Sequence, residues 1–253
     1  MTPAARIAAA CEVLDDILDG TPAEKALTGW ARRSRFAGSG DRAALRDLVF
    51  DALRRKRSLA ALGGAMTGRG LMLGLLRADG QAMGGQTVET VFTGQGHAPE
   101  PPSDAEIEAG RQPAPGAEAC DIPDWLWPDL RASLGARTEE IAAVLRARGP
   151  VMLRVNLRRT TRDAAQTKLA QEGVECLPDA ISPTALRVVS GGRRVAQTDS
   201  YLTGLVELQD GSSQATIDEL HLPSICKILD YCAGGGGKAL ALADRTEATV
   251  FAH

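Results

Sequence analysis

The chain has 253 residues, 44% of them hydrophobic and 24% charged, which excludes wholesale disorder and, against a typical domain of about 150 residues, predicts more than one domain. No run approaches the roughly 18 to 20 apolar residues of a membrane span and no secretory leader pattern opens the chain, so a cytoplasmic protein without a membrane partner is expected. The net charge of −3 resolves into +3 over 1–63, −5 over 64–121, −2 over 122–130, +6 over 131–198 and −5 over 199–253, an alternation open both to polyanion binding and to ordinary uneven surface charge.

Thr2-Pro3 supplies an N-cap followed by proline at the first helical position, and Ile7, Cys11, Leu14 and Leu18 recur at helical spacing up to Gly20. A second amphipathic helix is predicted from Asp41 as cap through Leu45, Leu48, Val49, Ala52 and Leu53, ending in Arg54-Arg55-Lys56-Arg57. That basic run reads either as a solvated last turn favoured by the helix dipole or as a phosphate contact. From Gly63 to Asp121 the pattern degrades, with early glycines and then Pro99, Pro101, Pro102, Pro113 and Pro115. One or two short helices are expected within 71–92 and a mobile linker over 95–119.

Helices are expected again from Asp121 through Trp127 and from Thr138 to about Gly149-Pro150, with Trp125 and Trp127 as packing anchors. Strands follow at Val151–Asn156, Val174–Leu177 and Ala185–Val189, and a helix at Thr161–Gln171 with Gly173 as its stop. Leu205–Asp210 reads as a strand, Ser212–Leu220 as a helix and Ser224–Leu229 as a buried strand closed by Asp230.

After Asp230 comes Tyr231-Cys232-Ala233-Gly234-Gly235-Gly236-Gly237-Lys238, then a helical Ala239–Ala243 and a strand at Ala248–Ala252. Strand, glycine loop, helix and strand open a doubly wound sheet, and glycines there let backbone N–H groups at a helix N-terminus approach a nucleotide-like cofactor. A phosphate-binding P-loop would need glycine where Cys232 stands and Ser or Thr where Ala239 stands, so NTP is disfavoured. A dinucleotide fingerprint fits only as Gly234, Gly236 and Ala239, which leaves NAD open. An acid closing the first strand is typical of S-adenosylmethionine sites. The five cysteines, Cys11, Cys120, Cys176, Cys226 and Cys232, are odd in number and form no CxxC pair, so neither a disulfide framework nor a metal site is expected.

These residues resemble the Sun/RsmB family of RNA 5-methylcytosine methyltransferases. Asp230–Lys238 is similar to that family's D-x-C/A-A-x-P-G-G-K loop, Gly204-Leu-Val-Glu-Leu-Gln-Asp-Gly-Ser-Ser-Gln214 to its G-x-x-x-x-Q-D-x-S-S-Q segment, and Met152-Leu-Arg-Val-Asn156 to its L-R-V-N strand. Gly235 stands where proline is usual. Gly40-Asp-Arg42 and Leu48–Arg54 resemble the helical domain of some members.

The resemblance implies a mixed fold, all-α followed by α/β. Its parts would be a NusB-like RNA-binding domain over 1–94, a Pro-rich acidic linker over 95–120, a helical connector with an RRM-like subdomain over 121–204, and the start of a Rossmann-like cofactor domain over 205–253. It implies S-adenosyl-L-methionine held by Cys232, Ala233, Gly234, Gly235, Gly236, Gly237 and Lys238, ribosomal RNA as partner, and a monomer. Arg54, Arg55, Arg57, Arg154, Arg158 and Arg159 are the RNA-contact candidates. In the family a cysteine thiolate attacks cytosine C6 and a second cysteine assists release. Those cysteines are expected beyond His253, Cys232 falling in the cofactor loop, so the 253 residues alone are expected to be inactive. The alternatives are a non-catalytic RNA- or protein-binding module and a nicotinamide-dependent oxidoreductase fragment.

Overall fold

The computed structural model describes residues 1–80, 84–223 and 227–253. The chain divides into two compact units, Met1–Arg148 and Gly149–His253. This division differs from the four segments expected from sequence: the helices after 121 group with the first unit, and the small sheet groups with the glycine loop.

The first unit is helical. Thr2 caps α1 (Pro3–Leu18) by accepting from Ala5 N, and α1 buries Ile7, Ala10, Val13 and Leu14. Helix α2 (Ala23–Arg33), which the sequence did not announce, buries Ala26, Leu27 and Trp30. In α3 (Ser39–Arg54) the expected stripe is present, with Leu45, Val49 and Ala52 buried. Asp41 is not the cap but the third helical residue, and its carboxylate accepts from Gly38 N and from Arg6 at 2.8 Å. Arg6 thereby holds Asp41 below the usual carboxylate range.

Glycines 63, 68, 70 and 74 are packing residues. Helix α4 (Lys56–Gly63) and helix α5 (Gly68–Asp79) lie against each other so closely that a Cβ on Gly63 would overlap the Gly70 carbonyl, and one on Gly74 the Leu59 carbonyl. Leu71, Met72, Leu73, Leu75 and Leu76 are all buried, so α5 is apolar around its circumference because it is the centre of the unit. Among the described residues no single helix is long and apolar enough to cross a membrane; α4 and α5 pass such a test only jointly and are bent by 88°.

The segment expected to be a mobile linker is fastened to this core. After the single-turn α6 (Val88–Val91), a capping box between Ser103 and Glu106 starts α7 (Asp104–Ala109). Arg69 of α5 bonds Glu106 at 2.6 Å and the carbonyls of Glu100 and Pro101, while Arg111 N donates to Ala61 O. Arginine holds Glu106 and Glu118 down to about 2, through Arg69 and Arg111 respectively. The segment shows no apolar periodicity because polar bonds, not a buried face, secure it.

Asp121 anchors the end of this path. Its carboxylate, with a side chain only 2% exposed, accepts from the N–H groups of Arg57 (2.9 Å) and Ser58 (2.7 Å) and from Ser58 Oγ (2.8 Å). A residue more than sixty positions away thus caps α4, whose local N-cap, Arg55, offers no side-chain cap. Helices α8 (Trp127–Leu134) and α9 (Thr138–Arg146) follow, with Cys120, Ile122 and Ala142 in a small core. Trp127 packs against that core as expected, whereas Trp125 is 76% exposed and anchors nothing.

The second unit opens with β1 (Met152–Val155), fully buried, then α10 (Arg162–Gln171) capped by Thr161, β2 (Glu175–Pro178) and β3 (Ala185–Ser190). Gly173 ends α10 with φ +79°, as its position predicted. A 3-10 segment, Gly192–Gln197, and the short α11 (Asp199–Leu202) lead to β4 (Val206–Leu208). The four strands form an antiparallel sheet in the order β2-β3-β1-β4. Strand β4 was expected to begin the next domain. It instead pairs with β1, Leu153 opposite Leu208 and Val155 opposite Val206, because burying Val206 beside Val155 completes the core under the sheet.

Candidate functional site

Asp210 caps α12 (Gly211–Asp218) by accepting from Ser212 N at 2.8 Å, and the Ser212 hydroxyl with that amide keeps the Asp210 carboxyl below its usual range. Beyond it, β5 (Lys227–Asp230) and β6 (Thr249–Ala252) pair in parallel, Ile228 opposite Val250 and Asp230 opposite Ala252, with α13 (Gly237–Arg245) as the connection. Ile228 and Val250 turn toward Ile217, Ala241 and Leu242, while Leu229 (61%) and Phe251 (51%) are exposed. Ile225 and Cys226, expected in the strand leading to the loop, lie outside the described residues.

Residues 231–236 form the turn between β5 and α13. Ala233 N donates to His253 O at the end of β6, Gly236 N closes on Ala233 O at 2.8 Å, and His253 N donates to Asp230 O. Gly236 is the N-cap of α13 at φ +84°, and Gly234 has φ +54°. A Cβ built on Gly234 or Gly235 would meet nothing within 4 Å. The loop is therefore open on the side of these two residues, next to a helix N-terminus whose N–H groups favour polar or anionic ligands. Beside it, Asp230 Oδ2 is buried with no hydrogen-bond partner among the described residues. Cys232 and Lys238 are exposed and Ala233 half-buried; of the seven expected cofactor residues, 232–236 lie in the turn and Gly237 and Lys238 open α13.

The described cysteines other than Cys232 are not placed for nucleophilic chemistry. Burial pushes the Cys11 thiol up to about 12 and that of Cys176 up to about 11, and also raises Cys120. Among the described residues no cluster of three or more metal-type side chains occurs.

The six arginines singled out for RNA divide between the two units, Arg54, Arg55 and Arg57 in the first and Arg154, Arg158 and Arg159 in the second. Arg54 donates to Arg146 O and Asp51, Arg55 pairs with Asp79, and Arg57 with Asp124 and Ile122 O. The run at 54–57 is thus neither a solvated last turn nor a bare phosphate site, since its guanidinium groups meet acceptors of the same unit. Arg154 is 4% exposed and pairs with Asp244 of α13; a phosphate cannot reach it there. Arg158 binds Ala243 O, Thr246 O and Glu247, and Arg159 binds Thr203 O, both from exposed positions.

Sequence reasoning missed the part played by Gln209. Its side chain is 8% exposed and Nε2 donates to Gly237 O at 3.1 Å, the first residue of α13. The signal was present in the Gln209–Gln214 motif, but a motif match gives no partner.

Comparison with known proteins bears on both units. The family model for the Methyltr_RsmF/B-like ferredoxin-like domain matches residues 122–195. Ribosomal RNA small subunit methyltransferase B of Xanthomonas campestris pv. campestris is 33% identical over 129 residues, 51% of this chain and 29% of that protein. The protein of the same name from Citrobacter koseri is 34% identical over 131 residues, 51% of this chain and 30% of its own length. The alignments thus span less than a third of the curated relatives. The crystal structure of PH0851 superposes with a TM-score of 0.63 at 18% identity, over all of this chain and 63% of that one, and shows a shared fold. Over about half of its length the chain is thus similar to ribosomal RNA small subunit methyltransferase B, and over 122–195 to the ferredoxin-like domain of RsmF/B-like methyltransferases.

Proposed function

We propose that this chain supplies the cofactor cradle and RNA-facing surface of an S-adenosylmethionine-dependent methyltransferase acting on cytosine C5 of ribosomal RNA. The observation that carries the reading is the turn between β5 and α13. Its two open glycines leave room beside the N-terminus of α13, and the buried Asp230 Oδ2 has no donor among the described residues. Those features fit the group: Gly234, Gly235, Gly237 and Lys238 would hold it by backbone N–H, with Gly236, whose own N–H is spent on Ala233 O, shaping the turn and Cys232 and Ala233 forming its wall. When bound, S-adenosylmethionine supplies an electrophilic methyl group. The relatives named ribosomal RNA small subunit methyltransferase B support the choice of reaction and substrate.

The chain's own contribution is binding and orientation. No described cysteine outside the loop is assigned a catalytic part, because Cys11, Cys120 and Cys176 are held as thiols by burial. The NusB-like assignment of 1–94 and the RRM-like assignment within 121–204 belong to the same proposal, the second supported by the sheet order β2-β3-β1-β4 and the ferredoxin-like match. RNA contact falls to Arg158 and Arg159, the candidates that remain exposed.

Titration calorimetry with S-adenosylhomocysteine and with NADH tests the cofactor. Tighter binding of S-adenosylhomocysteine is expected, and tighter binding of NADH would instead support the oxidoreductase alternative. For RNA, log affinity should fall with log salt by about 0.7 per single-strand phosphate contacted. Arg158→Glu with Arg159→Glu should flatten that slope, and an unchanged slope would remove the RNA assignment from these two residues.

A further inference from the structure

Gln209 follows β4 directly, and its backbone N–H donates to Met152 O at 3.2 Å, carrying the β1–β4 pairing one residue further. From this fixed base the side chain reaches α13, where Nε2 meets Gly237 O at 3.1 Å. A helical carbonyl keeps a second lone pair after its bond within the helix, so this contact adds to α13 rather than competing with it. The backbone of Gln209 is held in turn. Gln214 Nε2 donates to Gln209 O at 3.0 Å, and Gln214 Oε1 accepts from Thr184 Oγ1 at 2.8 Å. Gln214 is 1% exposed and Gln209 8%. A buried polar chain therefore runs from the turn before β3, through α12, to the first residue of the helix behind the glycine loop.

Two further facts show what this chain acts upon. The loop is tied at one end by Ala233 N to His253 O, and Gln209 ties it at the other by Gly237 O. Between these anchors stand Gly234 and Gly235, whose Cβ directions are empty, so no side-chain packing limits their motion. Gln209 Oε1 is itself buried with no hydrogen-bond partner among the described residues, so the contact of Nε2 with Gly237 O is what holds this amide in place.

We infer that Gln209 is a positioning residue: it fixes the start of α13, and through it the backbone amides of the glycine loop, in the arrangement that receives the cofactor. The inference rests on reading that loop as the S-adenosylmethionine cradle. It assigns the antiparallel sheet a part beyond RNA contact, that of a platform against which the cofactor loop is set.

The test is hydrogen–deuterium exchange on the whole 253-residue chain without ligand, comparing the natural chain with Gln209→Met, which keeps the length and removes the donor. Loss of one neutral hydrogen bond should speed exchange of amides 234–240 about five-fold, with β1 and α10 unchanged. Affinity for S-adenosylhomocysteine should weaken by a similar factor. Gln209→Asn, one methylene short of Gly237, should show the same loss and serves if the methionine variant does not fold. Unchanged exchange at 234–240 in the folded variants would overturn the inference, and so would uniformly faster exchange over 149–253, which would make Gln209 a general support of the unit. If the natural chain does not bind S-adenosylhomocysteine, the cofactor reading fails while loop exchange still decides the role of Gln209.

Discussion

Adjacent glycines in the loop should respond to the same substitution with opposite sign. Gly236 sits at φ +84° and ψ 9°, where an L residue is disfavoured by about 1–2 kcal/mol. The added methyl would meet Leu240 Cγ at 3.9 Å, an ordinary contact, so no clash adds to the backbone term. Alanine also narrows the unfolded ensemble, which returns about 0.4–1 kcal/mol. Gly236→Ala should therefore loosen the loop by about 1 kcal/mol net, roughly a five-fold rise in its opening equilibrium. Gly235 is not among the glycines of positive φ, and a Cβ there meets nothing within 4 Å. Gly235→Ala should only restrict the unfolded chain, slowing loop exchange by a factor of about two to five. Because proline is usual at this position in the resembling family, a side chain there should leave S-adenosylhomocysteine affinity within about two-fold, whereas Gly236→Ala should weaken it about five-fold. Exchange at 234–240 and calorimetry read the two effects separately. Equal behaviour of the two variants would refute the assigned backbone geometry.

Three other outcomes follow from contacts within single units. Arg154→Met leaves the Asp244 carboxylate, 15% exposed, without its cation, and should destabilise the second unit by about 3 kcal/mol in urea unfolding; Arg154→Met with Asp244→Leu should recover most of it, and a single-variant loss below about 1 kcal/mol would contradict the buried pair. Asp121→Ala removes three acceptor contacts from the start of α4 and should lower first-unit stability by about 2–3 kcal/mol, measured by tryptophan fluorescence on heating, where an unchanged midpoint would show that α4 needs no remote cap. Glu106, about 2 in the folded chain against an ordinary 4.5, contributes stability that is complete above about 4.5 and lost as pH falls toward 2, so α7 amides should lose protection in that window, and Glu106→Gln should abolish the pH dependence.

The elements that sequence reveals are those whose order is written in local period or local turn chemistry. Alternation and β-branched residues mark β1 and β3, Thr161 and Gly173 bracket α10, and the run from Asp230 to Lys238 announces its own turn. Where order depends on distant partners the signs invert. Glycines 63, 70 and 74 resemble a linker in sequence yet exist to let α4 and α5 touch, and the prolines and acids of 95–120 resemble disorder yet are fastened by Arg69 and Arg111. The seven loop residues were legible as a site because they are contiguous; Gln209 was not, since only the fold brings it to Gly237.

Charge gives the sharpest case. Two basic segments separated by acidic ones leave polyanion binding and ordinary uneven surface charge both open, and part of that basic charge meets acids of the acidic segments. Asp79 and Asp124 answer Arg55 and Arg57 within the first unit, and Asp244, Glu247 and Asp199 answer Arg154, Arg158 and Lys168 within the second. In each unit some basic residues pair with acids further along the chain and others, such as Arg33 with Glu12 and Arg187 with Asp179, with acids of their own stretch, so a segmental excess of arginine measures in part what the fold pairs internally. Phosphate contacts then fall to exposed arginines that keep donors to spare, and Arg159, whose exposed guanidinium has five N–H donors and meets Thr203 O, is the first such residue to substitute.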